Sequence, residues 1–368
     1  MDVSLTEELR LLAESVASLA RRHATTGGHR DGAAIAGPGP DRAWRAVVEM
    51  GLPGMLLSEE PGDGPGTATS RPMANATLAA ALAVEELARG LVRAPLMGTL
   101  LATALLAPAA AEDPSGRAAE AARALARGER PGSVVLDGDL LAPAAHGIAW
   151  DWSDGALVVA VDGPGLAETA TTGPAESADP TRGLARTASA VQGPRLGPVE
   201  PHHLVRWEAL ALALLCADLV GTLAGTLDAA LVHARTRHQF GRPIGSFQAV
   251  QHLAADQHAL IEGARSCAWH AAWAVDALGP EEARDAARVA KAFCSEIARP
   301  VAEAALQIWG GLGMTWECVA HLYLRRALLD RRALGDEEHH FGVLADRLGA
   351  VPAGARASGA GASGAGAC

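Results

Sequence analysis

Apolar residues recur at three- and four-residue steps over most of this chain. The clearest series is Leu212, Leu215, Leu219, Leu223 and Leu227, which predicts one long helix over about 203–237. A helix of that length needs neighbours, so a bundle is expected, with further helices at about 246–278, 280–308, 316–332 and 336–349. Near the N-terminus, Leu9, Leu12, Val16 and Leu19 follow Thr6 and Glu8, predicting a capped amphipathic helix over 5–23. Shorter helices are expected from Asp41 to Gly51 and over 74–89, 95–107 and 117–128, with Pro95 suited to a first turn. Gly/Pro-rich breaks at 24–40 and 58–72 separate them.

The period changes at Pro131. Val134–Leu136, residues 147–149 and Leu157–Val161 are short apolar runs bounded by Gly, Asp and Pro, and they predict strands. From Asp162 to Pro201 periodicity fades; two or three more strands are expected there, and the region reads as short of several. The fold class is therefore mainly α with a small β domain. An N-terminal helical domain (1–130) precedes a reduced β domain (131–201). A C-terminal four-helix bundle (202–350) and a disordered Gly/Ala/Ser tail (351–368) follow.

Composition narrows the function. Hydrophobic residues make up 49% but many are alanine, and aromatics are only 4%, so helix packing rather than large-ring packing must build the core. A net charge of −11 argues against nucleic acid as a partner. Two basic clusters remain, Arg235–Arg242 and Arg325–Arg332, and the second reads as a solvated helix face. Cys216, Cys267, Cys294, Cys318 and Cys368 form no C-x-x-C pair and suit a reducing compartment. The first residues are acidic where a leader needs bases, and the apolar run Ala209–Ala217 is short for a bilayer span. A soluble cytoplasmic protein is expected, with no membrane partner. Histidines are numerous, but His252 and Asp256 alone do not make a metal site.

Chemistry concentrates at two places. Residues 235–251 place three arginines, two phenylalanines and several amides at one helix–turn–helix corner around Gly241–Gly245. Fixed guanidinium groups suit phosphates, and an aromatic face suits a flat ring. Residues 307–317 begin with Gln307 and carry Gly310-Gly311, where a missing side chain lets backbone approach a ligand. Taken singly, Arg237 could cap a helix, the glycines could end one, and Phe240 could be core.

Together, in this order, the two motifs resemble the acyl-CoA dehydrogenase family, and the resemblance covers essentially the whole chain. It implies FAD as cofactor and α,β-dehydrogenation of an acyl-CoA thioester. It also implies that Arg237, Gln239, Phe240, Gln248, Gln307, Gly310 and Gly311 reach a neighbouring subunit's flavin. The family's base is a carboxylate, and the two positions where members carry it correspond to Ala211 and Leu334. Neither is an acid. The nearby candidates are Glu208, Asp218 and Asp336, whose ordinary reading is solvated or capping carboxylates. The family's Thr-Glu-Pro and Trp-Ile-Thr-like segments are also missing from 131–201. The chain thus resembles the subunit without a base in heterotetrameric dehydrogenases of bacterial steroid and bulky-acyl degradation. Its implied partners are acyl-CoA, a homologous chain and an electron-transfer flavoprotein. The alternatives are a self-sufficient dehydrogenase with a relocated base, a flavin monooxygenase and a non-catalytic assembly protein.

Overall fold

The computed structural model describes residues 5–28, 35–37, 39–57, 75–347 and 349. The break at 58–72, residues 29–34 of the first loop and the expected disordered tail lie outside the described residues. Helix α1 (Glu7–His23) starts where Thr6 Oγ1 accepts the Leu9 N–H at 3.3 Å, an N-cap that satisfies one free donor of the first turn. A two-residue ladder of β1 (Gly27–Gly28) and β2 (Ile35–Ala36) leads to α2 (Pro40–Glu49), α3 (Ala76–Arg89), α4 (Leu96–Glu112) and α5 (Arg117–Ala126). Helix α4 continues past the expected end at 107, through Pro108. Leu105, Leu106 and Ala109 are buried on either side of that proline, so packing outweighs the lost hydrogen bond.

Seven strands follow: β3 (Gly132–Leu136), β4 (Ile148–Trp150), β5 (Leu157–Asp162), β6 (Gly165–Glu168), β7 (Thr171–Pro174), β8 (Leu184–Thr187) and β9 (Arg195–Pro198). They form one sheet in the order β7-β8-β4-β3-β5-β6-β9, with β3 and β5 parallel and the other pairs antiparallel. Four strands lie beyond Asp162, more than the two or three expected. Each is four residues long, too short for an alternating pattern to stand out. The period of two is nevertheless visible in β3. Val134 and Leu136 join the main core, while Val135 joins a small cluster with Ala149, Val158, Ala160 and Ala185. Thr99 on α4 ties the sheet down by accepting the Gly132 N–H at 2.8 Å.

The bundle is α6 (Pro201–Thr236), α7 (Gln248–Ala277), α8 (Pro280–Trp309), α9 (Ala320–Arg332) and α10 (Glu337–Arg347). Between α6 and α7 lies a tiny hairpin of β10 (His238–Gln239) and β11 (Arg242–Pro243). The helix expected from 316 begins instead at Ala320, after a 3-10 turn over Gly310–Met314. Helix α6 is long and apolar enough to cross a membrane by length and composition. Its most apolar stretch is wholly buried, however, packed by α3, α4, α7, α8 and α9, so it is a core helix. Leu212, Leu215, Leu219 and Leu223 are almost fully enclosed there, each contributing roughly 1.5–3 kcal/mol of burial free energy.

Helices α3 and α6 meet backbone to backbone. A Cβ on Gly221 would lie 2.0 Å from the Glu85 carbonyl oxygen, and one on Gly225 would lie 2.2 Å from that of Arg89. Only glycine lets the two main chains meet at this seam. Tyr323 of α9 closes it by donating its hydroxyl to the Arg89 carbonyl at 2.7 Å. The main core runs unbroken from Val16 on α1 through the sheet to Leu334.

Candidate functional site

Helix α6 ends as Arg237 turns to extended backbone, its N–H still donating to His233 O. The chain then reverses over Phe240 and Gly241, both at positive φ (52° and 79°), which makes a type I′ turn between β10 and β11. A bulky ring in left-handed backbone is strained. Here the strain aims Phe240 outward, with 93% of its surface exposed. Its edge meets Phe247, ring centroids 6.2 Å apart, and the Arg242 guanidinium covers the Phe247 ring at 4.1 Å. Arg237, Gln239 and Gln248 are exposed beside it, Gln248 being the first residue of α7. Gln251 fixes the corner by donating to the Gly245 carbonyl at 3.0 Å.

The second motif ends α8. Gln307 is exposed on the last turn, and its carbonyl accepts the Gly310 N–H. Gly310 sits at φ 63°, ψ −147°, a conformation essentially restricted to glycine. A Cβ on Gly310 or Gly311 would meet nothing within 4 Å, so both present bare backbone to open space. Leu312 and Met314 stay exposed beyond them. The two motifs meet through residues that the sequence patterns did not single out: His233 of α6 stacks on Trp309 of α8, centroids 4.3 Å apart and planes 20° from parallel. Burial, and then the charge of Arg237, hold the His233 imidazole below its ordinary pKa, so the stacked ring is neutral.

The three candidate acids lie elsewhere. Glu208 is half-buried and gripped by Arg288 at 2.6 Å, with Arg284 at 3.5 Å. Asp336 accepts the His339 N–H at 3.2 Å at the start of α10 and faces Arg332 at 3.5 Å. Asp218 is buried within an ion cluster. Arg182 donates to Asp218 at 2.5 Å and to Asp151 at 3.3 Å, and its Nε lies 3.4 Å from Asp330. Arg326 donates to Asp179 at 2.5 Å and Thr181 at 2.7 Å, and reaches Asp218 at 3.5 Å. This corrects two expectations. Asp218 is neither solvated nor capping, and the Arg325–Arg332 cluster is not a wholly solvated face, because Arg326 and Asp330 point inward from α9.

Four carboxyl groups thus face two guanidinium groups. Burial, opposed by Arg182 and aided by the neighbouring Asp218 charge, holds the Asp330 carboxyl well above the usual carboxylate range. Burial also works against ionised Asp218, but Arg182 and Arg326 outweigh it and keep that group charged. A cavity of about 20 Å³ adjoins Arg182, Asp218 and Asp151, room for one water.

Ala211 and Leu334 line one cavity, together with Met97, Leu101, Trp150 and Trp207. Its volume is about 10 Å³. Trp207 fills its rim with the indole N–H donated to Leu101 O at 3.0 Å, and the buried Trp150 ring lies under Arg182 at 5.1 Å. Neither this apolar space nor the polar one admits a tricyclic ring. The outward corner does fit a flavin dinucleotide offered from outside. It presents guanidinium for phosphate, an exposed ring for a planar face, amides, and bare backbone at Gly310-Gly311.

Comparison with known proteins agrees with this architecture. Residues 210–349 match the family model described as "Acyl-CoA dehydrogenase, C-terminal domain". The chain is 34% identical over 324 residues to Acyl-CoA dehydrogenase IpdE2 of Mycobacterium tuberculosis, covering 87% of this chain and 91% of that protein. Among solved structures, the ChsE4-ChsE5 complex from Mycobacterium tuberculosis has a similar chain. The TM-score is 0.73 at 24% identity, over 96% of this chain and 100% of the other. A variant of the Tcur3481-Tcur3483 steroid ACAD gives a TM-score of 0.75 at 24% identity, over 94% and 98%. The chain belongs to the acyl-CoA dehydrogenase family.

Proposed function

We propose that this chain is the flavin-completing subunit of a two-polypeptide, FAD-dependent acyl-CoA dehydrogenase whose base resides on the partner. The observation that carries the reading is the shared cavity of Ala211 and Leu334. Both positions where the family carries its carboxylate face one small apolar space, closed by Trp150 and Trp207. A carboxylate placed there would be buried without a partner charge. The opposite end of the bundle meanwhile keeps its arginine, aromatic and amide groups exposed.

In this reading Arg237 holds the pyrophosphate, Phe240 packs against the cofactor, and Gln239, Gln248 and Gln307 supply amide contacts. Gly310 and Gly311 allow close backbone approach. The bound FAD supplies the hydride acceptor for oxidation of the acyl-CoA. The residues of this chain bind and orient it and exclude water, and the partner's carboxylate takes the α-proton. The names of the ChsE4-ChsE5 and Tcur3481-Tcur3483 assemblies, each pairing two polypeptides, support a heteromeric state, and the second supports a steroid or similarly bulky acyl group. Electron-transfer flavoprotein is the expected electron acceptor, and the cytoplasm the expected location.

Expressed alone, the chain should hold no stoichiometric FAD and turn over no acyl-CoA. Co-expressed with a base-carrying chain of the same family from its own genome, it should form a complex that retains FAD. Arg237→Ala in that complex should weaken FAD retention by about tenfold to a hundredfold, the value of a charge-assisted phosphate contact. Full FAD occupancy and turnover by the isolated chain would overturn the proposal.

A further inference from the structure

The two motifs lie at the ends of different helices, and one aromatic contact spans them. His233 is one turn before Arg237 on α6, and Trp309 is the last residue of α8, immediately before Gly310. Their rings stack at the point where both helices end. Trp309 Nε1 is buried with no hydrogen-bond partner among the described residues, a cost that helix packing alone does not explain.

We infer that the His233–Trp309 stack is a positioning device: it fixes the distance and rotation of the Arg237–Phe240 corner relative to Gln307–Gly311, so that one cofactor can touch both. This rests on the flavin-completing reading. The corner beyond Arg237 is held to the rest of the chain mainly by local contacts, among them Ile244 N–H to Arg237 O at 2.8 Å and Gln251 to Gly245. The turn after Trp309 is likewise local, its Gly310 N–H bonding back to Gln307 O and Leu306 O. Neither set of bonds fixes one motif against the other. Packing of α6 on α8 holds the two helices together. The stacked rings add the contact that sets how their last turns face each other, and a neutral imidazole does so without setting a second cation beside Arg237. Gly310 then carries the chain away from the stack in its glycine-only conformation, so the rotation of the last α8 turn determines where Gln307 and the bare backbone point.

The test uses the affinity-tagged full chain purified with its partner from its own host. The variants are His233→Ala, His233→Phe, Arg237→Ala and the double variant His233→Ala/Arg237→Ala. Two quantities are read: the FAD dissociation constant of the complex, by fluorescence of released flavin, and amide hydrogen exchange over residues 310–314. His233→Ala should weaken FAD retention about tenfold and speed exchange in that turn, the size of a lost aromatic pair. His233→Phe, which keeps a ring in place, should restore both. In the Arg237→Ala background the further loss from His233→Ala should be smaller than in the wild type, because the arginine's contact, one of those the stack aligns, is already gone. Unchanged FAD retention in His233→Ala, failure of the phenylalanine to rescue, or fully multiplicative losses would each overturn the inference. If Arg237→Ala weakens retention while His233→Ala does not, only the stack is refuted. If Arg237→Ala has no effect, the flavin-completing reading falls and this inference with it.

Discussion

Phe240 carries a conflict between local stability and exposure. The first position of a type I′ turn favours asparagine, and a ring there is held in left-handed backbone while making one edge contact, with Phe247. Phe240→Asn should therefore raise the stability of the isolated chain by about 0.5–1 kcal/mol in chemical denaturation. The same substitution should lower FAD retention by the assembled complex. Reduced stability together with undiminished FAD retention would mean that the ring serves this chain's own packing. The exposed corner itself was legible in the sequence because three arginines, a ring and several amides crowd one short turn, and the structure leaves Arg237, Gln239, Phe240 and Gln248 exposed there. His233 and Trp309 were not legible. A histidine on a leucine-rich helix and a tryptophan at a helix end are individually ordinary, and only the fold stacks them.

At the level of elements, the α9–α10 turn hides a titration. His340, 1% exposed, has Nε2 2.9 Å from the Leu334 carbonyl. Burial, and then Lys291 from α8, lower its pKa to about 3, with His339 and Arg288 adding to the effect and the Leu334 carbonyl opposing it. In the unfolded chain the imidazole takes its proton near pH 6.5, so between that value and about 3 the unfolded state binds more protons. Stability contributed by neutral His340 is thus lost as pH falls from about 6.5, at about 1.4 kcal/mol per pH unit. Near pH 5 the loss should reach about 2 kcal/mol. His340→Gln should flatten this slope in urea titrations run between pH 7 and 5; an unchanged slope would assign the acid sensitivity to other groups. The helices themselves were readable because leucine spacing is strong and long. The strands after Asp162 were legible only as an approximate number, two or three against the four found, since four-residue strands with at most one leucine carry too little contrast to declare a face. Helix α4 outruns the expected end at 107 because the penalty of Pro108 is local whereas its compensation comes from buried neighbours on both sides.

For the molecule as a whole, the order of helical part, sheet and bundle was legible from changes of period alone. The ion cluster was not. Asp151 follows β4, Asp179 and Arg182 lie between β7 and β8, Asp218 is on α6, and Arg326 and Asp330 are on α9, so no local spacing announces it. It has a measurable signature. Because burial pushes the Asp330 carboxyl toward its neutral form, Asp330→Asn should match or exceed wild-type stability at neutral pH. Arg182→Met should instead cost about 3–5 kcal/mol by stranding Asp218 and Asp151. Equilibrium unfolding of the full chain distinguishes the two, and a large loss in Asp330→Asn would mean that the carboxylate is ionised. The Gly221–Gly225 seam has a further consequence. With two main chains in direct contact, α3 cannot ratchet or slide along α6 without collision, and Tyr323 pins the seam from a third side. The α3–α6 pair therefore moves as one rigid piece, and any breathing that ligand entry demands must come from elements outside this seam.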